Sequence, residues 1–288
     1  MRTHGGGLHQ KAIALRQRLL DNRTAMLGPD HTDTLECMAG LAMAYKRAGE
    51  WGTSVPLCEE LLRKRTTIFG PTHPSTLGAM HQLAMNYRSL DRFAESMALH
   101  EKVLDGLKSI YGPEHDSMIW PMQTFAEVCQ RAGKFDRADQ LLRAVLEHIP
   151  KNRKDSLGSR NNTANALGWL AVNLLLQERY DEAESLLRKA IATDQIEKQR
   201  RFYWMSVLGA ALLGQKKYAD AEPLLLQGYG GMRQLENGMP EGERRRLLTD
   251  AVERVVRLYE VTGQSEKARE WREKIKCDRP DATPDSAK

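Results

Sequence analysis

The chain has 288 residues, of which 41% are hydrophobic and only 6% aromatic, a composition that suits many small contacts between helices better than one large core. Charged residues of both signs are interspersed and leave a net charge of +5, which permits contact with acidic partners without requiring it. No apolar run approaches the roughly 18 residues of a membrane span, no signal peptide is evident, and the four cysteines form no CxxC pair. These features predict a cytoplasmic chain that crosses no membrane and carries no zinc finger or disulfide framework.

A 42-residue period runs through the first half of the chain. Gly-Pro dipeptides begin at positions 28, 70 and 112, and each proline is followed two residues later by a histidine. An aromatic residue returns at the same interval, as Trp51, Phe93 and Phe135, with a small residue three positions after it. A period of this length is typical of arrays in which each unit stacks on its neighbours.

Apolar residues at i, i+3, i+4 and i+7 predict two antiparallel helices in each unit, and no strand-like alternation is present. We therefore predict an all-α, right-handed superhelical solenoid over residues 8–276. The predicted units lie near 32–69, 74–111, 116–149, 157–196, 198–236 and 241–276, with a basic, irregular connector at 147–163. Residues 1–7 and 277–288 are predicted to be disordered.

The segment 8–27 aligns 42 residues upstream of a predicted second helix, so it is predicted to be half a repeat whose first helix is missing. Solenoids usually cover the apolar flank of a terminal unit with a capping element. Three explanations are open from the sequence: the chain is part of a longer protein, its start is misplaced, or a partner or second copy covers this flank.

The stretch from Leu27 to Trp51, with its Gly-Pro-Asp-His connector and its Leu-Ala-Met-Ala-Tyr core, resembles the tetratricopeptide repeats of kinesin light chains. The resemblance is strong over about 27–146 and looser beyond. Residues 218–271 are similar to repeat arrays attached to bacterial serine/threonine protein kinases. The resemblance implies a non-catalytic signalling scaffold that binds a peptide or protein segment in a groove lined by first helices. The alternative is a regulatory repeat region of such a kinase, as a fragment or a detached module.

The connector histidines, His31, His73 and His115, have two interpretations. Zinc ligands must all lie within about 2.1 Å of one ion, whereas successive helix pairs are roughly 10 Å apart. An N-cap needs only its own helix, and Pro74 suits the first helical position directly after His73. We predict structural capping and no metal or other cofactor.

Basic residues recur near the ends of the predicted first helices, at Lys46, Arg47, Arg88 and Arg131. They either pair with the negative helix end or select an acidic peptide or a C-terminal carboxylate in the groove. The other candidate groove residues are Gln82, Gln123 and Thr124, which could bond a peptide backbone, and Trp169, either an anchor or a residue packed against the connector.

Motifs of catalysis are missing from the sequence, including GxGxxG, Walker A, GxSxG, HExxH and the protein-kinase signatures. Residues 228–231 are glycine-rich but follow a predicted helix, so we predict a helix end and no phosphate cradle. Nucleic-acid binding would need basic runs on one face with interleaved aromatic residues. The runs at 151–154, 199–201 and 244–246 are scattered across predicted connectors, so they are predicted to be solvated surface, with no specific nucleic-acid partner.

Overall fold

The computed structural model describes residues 4–149, 157–193, 197–235 and 241–277, and the regular structure in these ranges is entirely helical. The chain divides into two compact units, Met1–Ile149 and Pro150–Lys288. Among the described helices, none combines the length and the apolar character that a membrane crossing requires. The predicted tail beyond Cys277 and the basic run at 151–154 lie outside the described residues.

The first unit has seven α-helices within its described residues. The helices are α1 (His4–Leu27), α2 (Thr32–Ala48), α3 (Trp51–Phe69), α4 (Pro74–Ser89), α5 (Phe93–Tyr111), α6 (Ile119–Arg131, preceded by a 3-10 turn at Asp116–Met118) and α7 (Phe135–His148).

The second unit has six α-helices within its described residues. The helices are α8 (Leu157–Leu176), α9 (Tyr180–Ile191), α10 (Lys198–Gly214), α11 (Tyr218–Gln234), α12 (Glu241–Val261) and α13 (Ser265–Cys277).

Two helices begin inside stretches predicted to be irregular. Helix α1 begins at His4, although residues 1–7 were predicted to be disordered, and α8 begins at Leu157, the predicted start of the fourth unit, although the irregular connector was predicted to continue to 163. Adding a residue to an existing helix costs much less than nucleating one, so a packed helix extends into a weakly helical flank.

Within each unit, a helix packs mainly against the helices before and after it in sequence. The first helices of successive pairs also touch, α4 with α6, α8 with α10, and α10 with α12. Helices joined by such short turns run antiparallel. The predicted all-α stack of antiparallel helix pairs is therefore confirmed in both units.

A small, buried side chain lies three residues after the aromatic position in the second helix of each pair. The hydroxyl of Ser54 donates a hydrogen bond to the carbonyl of Ala42 at 2.9 Å, and the hydroxyl of Ser96 donates to the carbonyl of Ala84 at 2.8 Å. In the other pairs the equivalent residue is a buried alanine: Ala138, Ala183, Ala221 and Ala268. The contacts of Ser54 and Ser96 agree with the prediction that small residues here let paired helices approach closely.

The connectors of the first unit combine a glycine with a capping histidine. Gly70 and Gly112 have φ of 87° and 83° with ψ of 164° and 165°, a region essentially restricted to glycine. The Nδ1 atom of His73 accepts a 3.2 Å hydrogen bond from the backbone N–H two residues later, and His31 and His115 accept equivalent bonds. The predicted N-cap role is confirmed. Among the described side chains, no group of three or more ligating residues is arranged to hold a metal ion.

The glycine-rich stretch at 228–231 lies inside α11, so the prediction that it forms a helix end is wrong. A Cβ atom on Gly228 would lie 2.8 Å from the carbonyl oxygen of Phe202 and from the backbone nitrogen of Ser206, both in α10. Gly231 is packed in the same way against the ring of Phe202. These glycines therefore allow α10 and α11 to approach closely.

Two histidines are buried where α4, α5 and α6 meet. His81 is 4% exposed, neither of its ring nitrogens has a hydrogen-bond partner, and its ring lies edge-on to that of His100 at 5.2 Å. The Nδ1 atom of His100 lies 2.8 Å from the carbonyl oxygen of Ser96. Burial, with smaller contributions from nearby positive charge, lowers the pKa of His81 to about 3. Burial likewise lowers the pKa of His100 to about 4, so both rings are neutral near pH 7.

The close approach of α10 and α11 predicts opposite effects for two nearby glycines. Gly228→Ala must displace backbone atoms and is expected to lower the free energy of unfolding by about 1–3 kcal/mol. Gly230→Ala, whose Cβ meets nothing within 4 Å, is expected to raise it by up to about 1 kcal/mol through helix propensity. Urea unfolding followed by circular dichroism measures both changes, and a stabilised Gly228→Ala variant would contradict the packing described.

The buried histidines predict a loss of stability in mild acid. The folded state keeps His81 and His100 neutral, whereas the unfolded chain takes up their protons below about pH 6.5. The contribution of these neutral rings to stability is therefore fully present above pH 6.5. Between pH 6.5 and 5, the free energy of unfolding falls by about 1.4 kcal/mol per pH unit for each histidine. Urea unfolding at several pH values measures this slope.

His81→Leu is the matched variant for this measurement, since it removes one titrating ring and should reduce the slope by about half. Leu83→Ala is the control: Leu83 is a buried residue of the same helix, and its truncation should lower stability equally at every pH. A His81→Leu variant with the full slope of the original chain would show that this ring does not carry the effect.

Candidate peptide-binding surface

Lys46 and Arg88 hold equivalent places near the ends of α2 and α4, 42 residues apart. Both side chains are half-buried, and Arg88 is close enough to Lys46 to disfavour the charge of the Lys46 ammonium. Arg88 forms an ion pair with Glu127 of α6, which is also largely buried. Within the described residues, no carboxylate lies at salt-bridge distance from Lys46.

Burial, followed by repulsion from Arg88, lowers the pKa of Lys46 to about 8. The ammonium form therefore still predominates at pH 7, but it is held without a directly paired anion. A carboxylate brought to this place would gain a charge-assisted hydrogen bond and would relieve the repulsion. The geometry thus favours an anionic group on the surface formed by α2, α4 and α6.

Trp120, at the start of α6, adds an aromatic face to this surface. Its side chain stacks on His81 with ring centroids 4.1 Å apart, yet the residue is 59% exposed. Lys46 and Arg88 are close enough to His81 to lower its pKa, so cationic and aromatic groups meet around this ring. Neither of these two aromatic residues was predicted from the sequence as a site residue.

A signal for Trp120 and His81 was present as a departure from the period. The positions 42 and 84 residues before Trp120 hold Gly78 and Glu36, and the position 42 residues before His81 holds Ala39. Because His81 and Trp120 each occur in one repeat alone, a pattern of recurring residues does not reveal them.

The predicted polar groove residues differ in their surroundings. Gln82 is half-buried and donates a 3.3 Å hydrogen bond to the carbonyl of Ala39 on α2, and Gln123 is half-buried on α6. Thr124 is buried, with its hydroxyl 3.3 Å from Nε2 of His100 and bonded to carbonyls of its own helix, so it faces α5. The prediction that Thr124 is available to a peptide is therefore corrected.

The two remaining basic candidates are exposed. Arg131 pairs with the carboxylate of Asp91 and donates a 3.1 Å hydrogen bond to the backbone carbonyl of Arg88, at the last turn of α4. Arg47 lies in the last turn of α2. Arg131 thus satisfies a terminal carbonyl of the preceding first helix, α4, rather than of its own helix.

In the second unit, Trp169 is a half-buried residue of α8 that packs against α10. Its ring lies 5.4 Å from that of Trp204, edge-on, and 6.0 Å from that of Tyr203. The guanidinium of Arg254 on α12 lies 5.4 Å from the ring centre of Tyr203. Trp169 therefore belongs to a packed aromatic cluster of first helices, and residues 150–156 of the predicted connector lie outside the described residues.

Family models of the tetratricopeptide repeat match two parts of the chain. One matches residues 40–109 and again 75–151, and a second matches residues 163–193. These ranges include α4 to α6, which carry Arg88, His81 and Trp120. The models describe repeats and indicate no enzyme family.

Solved structures share the fold at low sequence identity. The kinesin-light-chain TPR-like repeats of Podosopora anserina are 22% identical, with 71% of this chain and 98% of that chain covered and a TM-score of 0.58. BtubC from P. vanneervenii is 18% identical, covering 81% of this chain and 91% of that chain with a TM-score of 0.59. NprR, in complex with its cognate peptide NprX, is 12% identical, covering 96% and 80% with a TM-score of 0.61.

No curated protein matches the sequence. The 42-residue period, the capped helix pairs, the family models and the shared fold lead to the same conclusion. The chain contains tetratricopeptide repeats within residues 40–151 and 163–193, and its fold resembles that of the kinesin-light-chain TPR-like repeats.

Proposed function

We propose that the protein is a non-catalytic scaffold that binds a peptide or protein segment on the first-helix surface of its first unit, formed by α2, α4 and α6. The observation that carries the proposal is the half-buried ammonium of Lys46, which lacks a directly paired carboxylate and lies near the exposed stack of Trp120 on His81. This combination does not stabilise the fold, because a half-buried charge without a paired anion lowers stability and an exposed tryptophan lowers solubility.

The chemistry of the surface suggests the class of ligand. An Asp or Glu side chain, or a C-terminal carboxylate, would satisfy Lys46, and an apolar or aromatic side chain would cover the outer face of Trp120. Gln82 and Gln123 lie on the same helices as possible partners for a peptide backbone. A peptide partner agrees with the complex of the structural neighbour NprR with NprX, although that likeness concerns the fold alone.

The titratable groups in the first unit support a non-catalytic function. Burial raises the pKa of the Cys58 thiol and that of the Cys129 thiol to about 11, which leaves both unreactive as nucleophiles near pH 7. His81 and His100 are neutral but enclosed by packed side chains, so neither can reach a substrate proton. The kinase-associated alternative stays a prediction.

The proposal predicts selective binding of short acidic peptides. Fluorescein-labelled peptides of about 12 residues, rich in Asp and Glu and carrying one Trp or Leu, should bind in fluorescence anisotropy, whereas the same peptides with Lys in place of the acidic residues should not. Lys46→Glu and Trp120→Ala should each weaken binding about tenfold or more. Affinity for the acidic set should fall as salt is raised.

Ile68→Ala is the matched control, because Ile68 is an exposed apolar residue on a second helix and its truncation should leave the affinity unchanged. Arg88→Glu is avoided, since it would place two carboxylates together at Glu127 and disturb the fold. Equal affinity for the acidic and basic peptide sets would refute the proposed selection for acidic ligands. Unchanged binding by both site variants would show that the peptide binds at a different surface.

A further inference from the structure

His81 is a buried polar side chain whose ring nitrogens have no hydrogen-bond partner. The residue is 4% exposed, and neither Nδ1 nor Nε2 is bonded. Both nitrogens of its neighbour His100, by contrast, lie within hydrogen-bond distance of an oxygen. The repeat does not require an imidazole here, since Ala39 and Gln123 hold the equivalent positions. Because unsatisfied buried polar atoms lower stability, packing alone does not explain this ring.

The indole of Trp120 covers His81 on the side that faces solvent. The two rings stack with centroids 4.1 Å apart and an interplanar angle of 28°. Among the residues that the structure describes, none forms a hydrogen bond with the Trp120 side chain, and 59% of the residue is exposed. Exposed side chains change rotamer rapidly. The indole can therefore turn away from His81 without breaking a hydrogen bond.

The charges around His81 indicate what would bind its nitrogens. After burial, the causes of its lowered pKa are three nearby groups: His100, Lys46 and Arg88. The guanidinium of Arg88 is paired with Glu127, whereas Lys46 has no carboxylate at salt-bridge distance within the described residues. A neutral imidazole offers one N–H donor, and the surrounding charge is positive. The missing partner is thus an anionic acceptor.

We propose that Trp120 is a movable cover, and that its indole turns aside when an acidic peptide binds, so that His81 donates a hydrogen bond to the peptide carboxylate held at Lys46. This inference rests on the function proposed above. His81 is enclosed while the cover is closed, so the carboxylate contacts it only in the open state. A ligand shifts such an equilibrium by its differential affinity for the two states. The turned indole still offers a face to an apolar side chain of the peptide.

The first test removes the nitrogens of His81 and keeps its ring. His81→Phe leaves a flat ring packed against Trp120 and His100 but no hydrogen-bonding atom. Its affinity for the acidic peptide that carries one Leu should fall about tenfold in fluorescence anisotropy at pH 7.5. Its midpoint of urea unfolding should not fall, because two unsatisfied polar atoms are removed.

Met80→Leu is the matched control for this variant. Met80 is the neighbouring buried residue of α4, and a volume-conserving change there should leave the affinity unchanged.

The second test removes the cover. A fluorescein-labelled peptide of Asp, Glu and Gly, with no apolar residue, gains nothing from the indole surface and must still displace it to reach His81. Trp120→Ala should therefore bind this peptide about threefold more tightly than the original chain does, or better. Combining Trp120→Ala with His81→Phe should abolish that gain, since the uncovered ring then has no donor.

The outcomes separate this inference from the proposed function. Unchanged affinity of His81→Phe for the Leu-containing peptide would overturn the contact with His81. No gain by Trp120→Ala with the Gly-containing peptide would overturn the cover. If Lys46→Glu still weakened binding in either case, the proposed function would stand alone. Failure of every acidic peptide to bind the original chain would refute both proposals.

Discussion

Each helix of the two units depends on its neighbours in sequence for the cover of its apolar side chains. Helices of this length are marginal in isolation, so their stability comes from packing against the preceding and following helices. The contact within a pair is made close by one small residue, Ser54 or Ser96 in the first unit, whose hydroxyl also satisfies a backbone carbonyl. Because a larger side chain would separate the two helices, this position fixes the spacing on which neighbouring contacts rely.

The same dependence decides what the sequence reveals. Features that recur at the period can be predicted, as with the capping histidines and connector glycines of the first unit and the small residue three positions after each aromatic residue. Contacts between two particular helices do not recur and can be identified only from the coordinates. Arg88 meets Glu127 across 39 residues, which is not the period, and Gly228 is explained only by the backbone of α10. From the sequence, glycines at 228 and 231 could equally cap a helix end or allow two helices to pack closely. The structure shows close packing.

The two half-buried cations of the candidate surface differ in whether a carboxylate compensates their charge. Arg88 is half-buried but paired, so the cost of removing water from its guanidinium is offset by Glu127. The positions equivalent to Glu127 in the two preceding repeats hold Met85 and Met43. Lys46, one repeat before Arg88, therefore has no equivalent acid. The recurring basic position therefore has a structural use in one repeat and leaves an unsatisfied cation in the other, and only the coordinates distinguish them.

Binding surfaces can arise wherever the regular cover of the repeat is incomplete. Trp120 occupies the position that holds Gly78 and Glu36 in the two preceding repeats. Its neighbours cover only part of the large ring, so much of the aromatic surface is exposed to solvent. The surface around Lys46 and Trp120 would therefore select a ligand through one aromatic ring and one cation without an equivalent acid, a combination that the repeat does not supply at the equivalent positions of its neighbours.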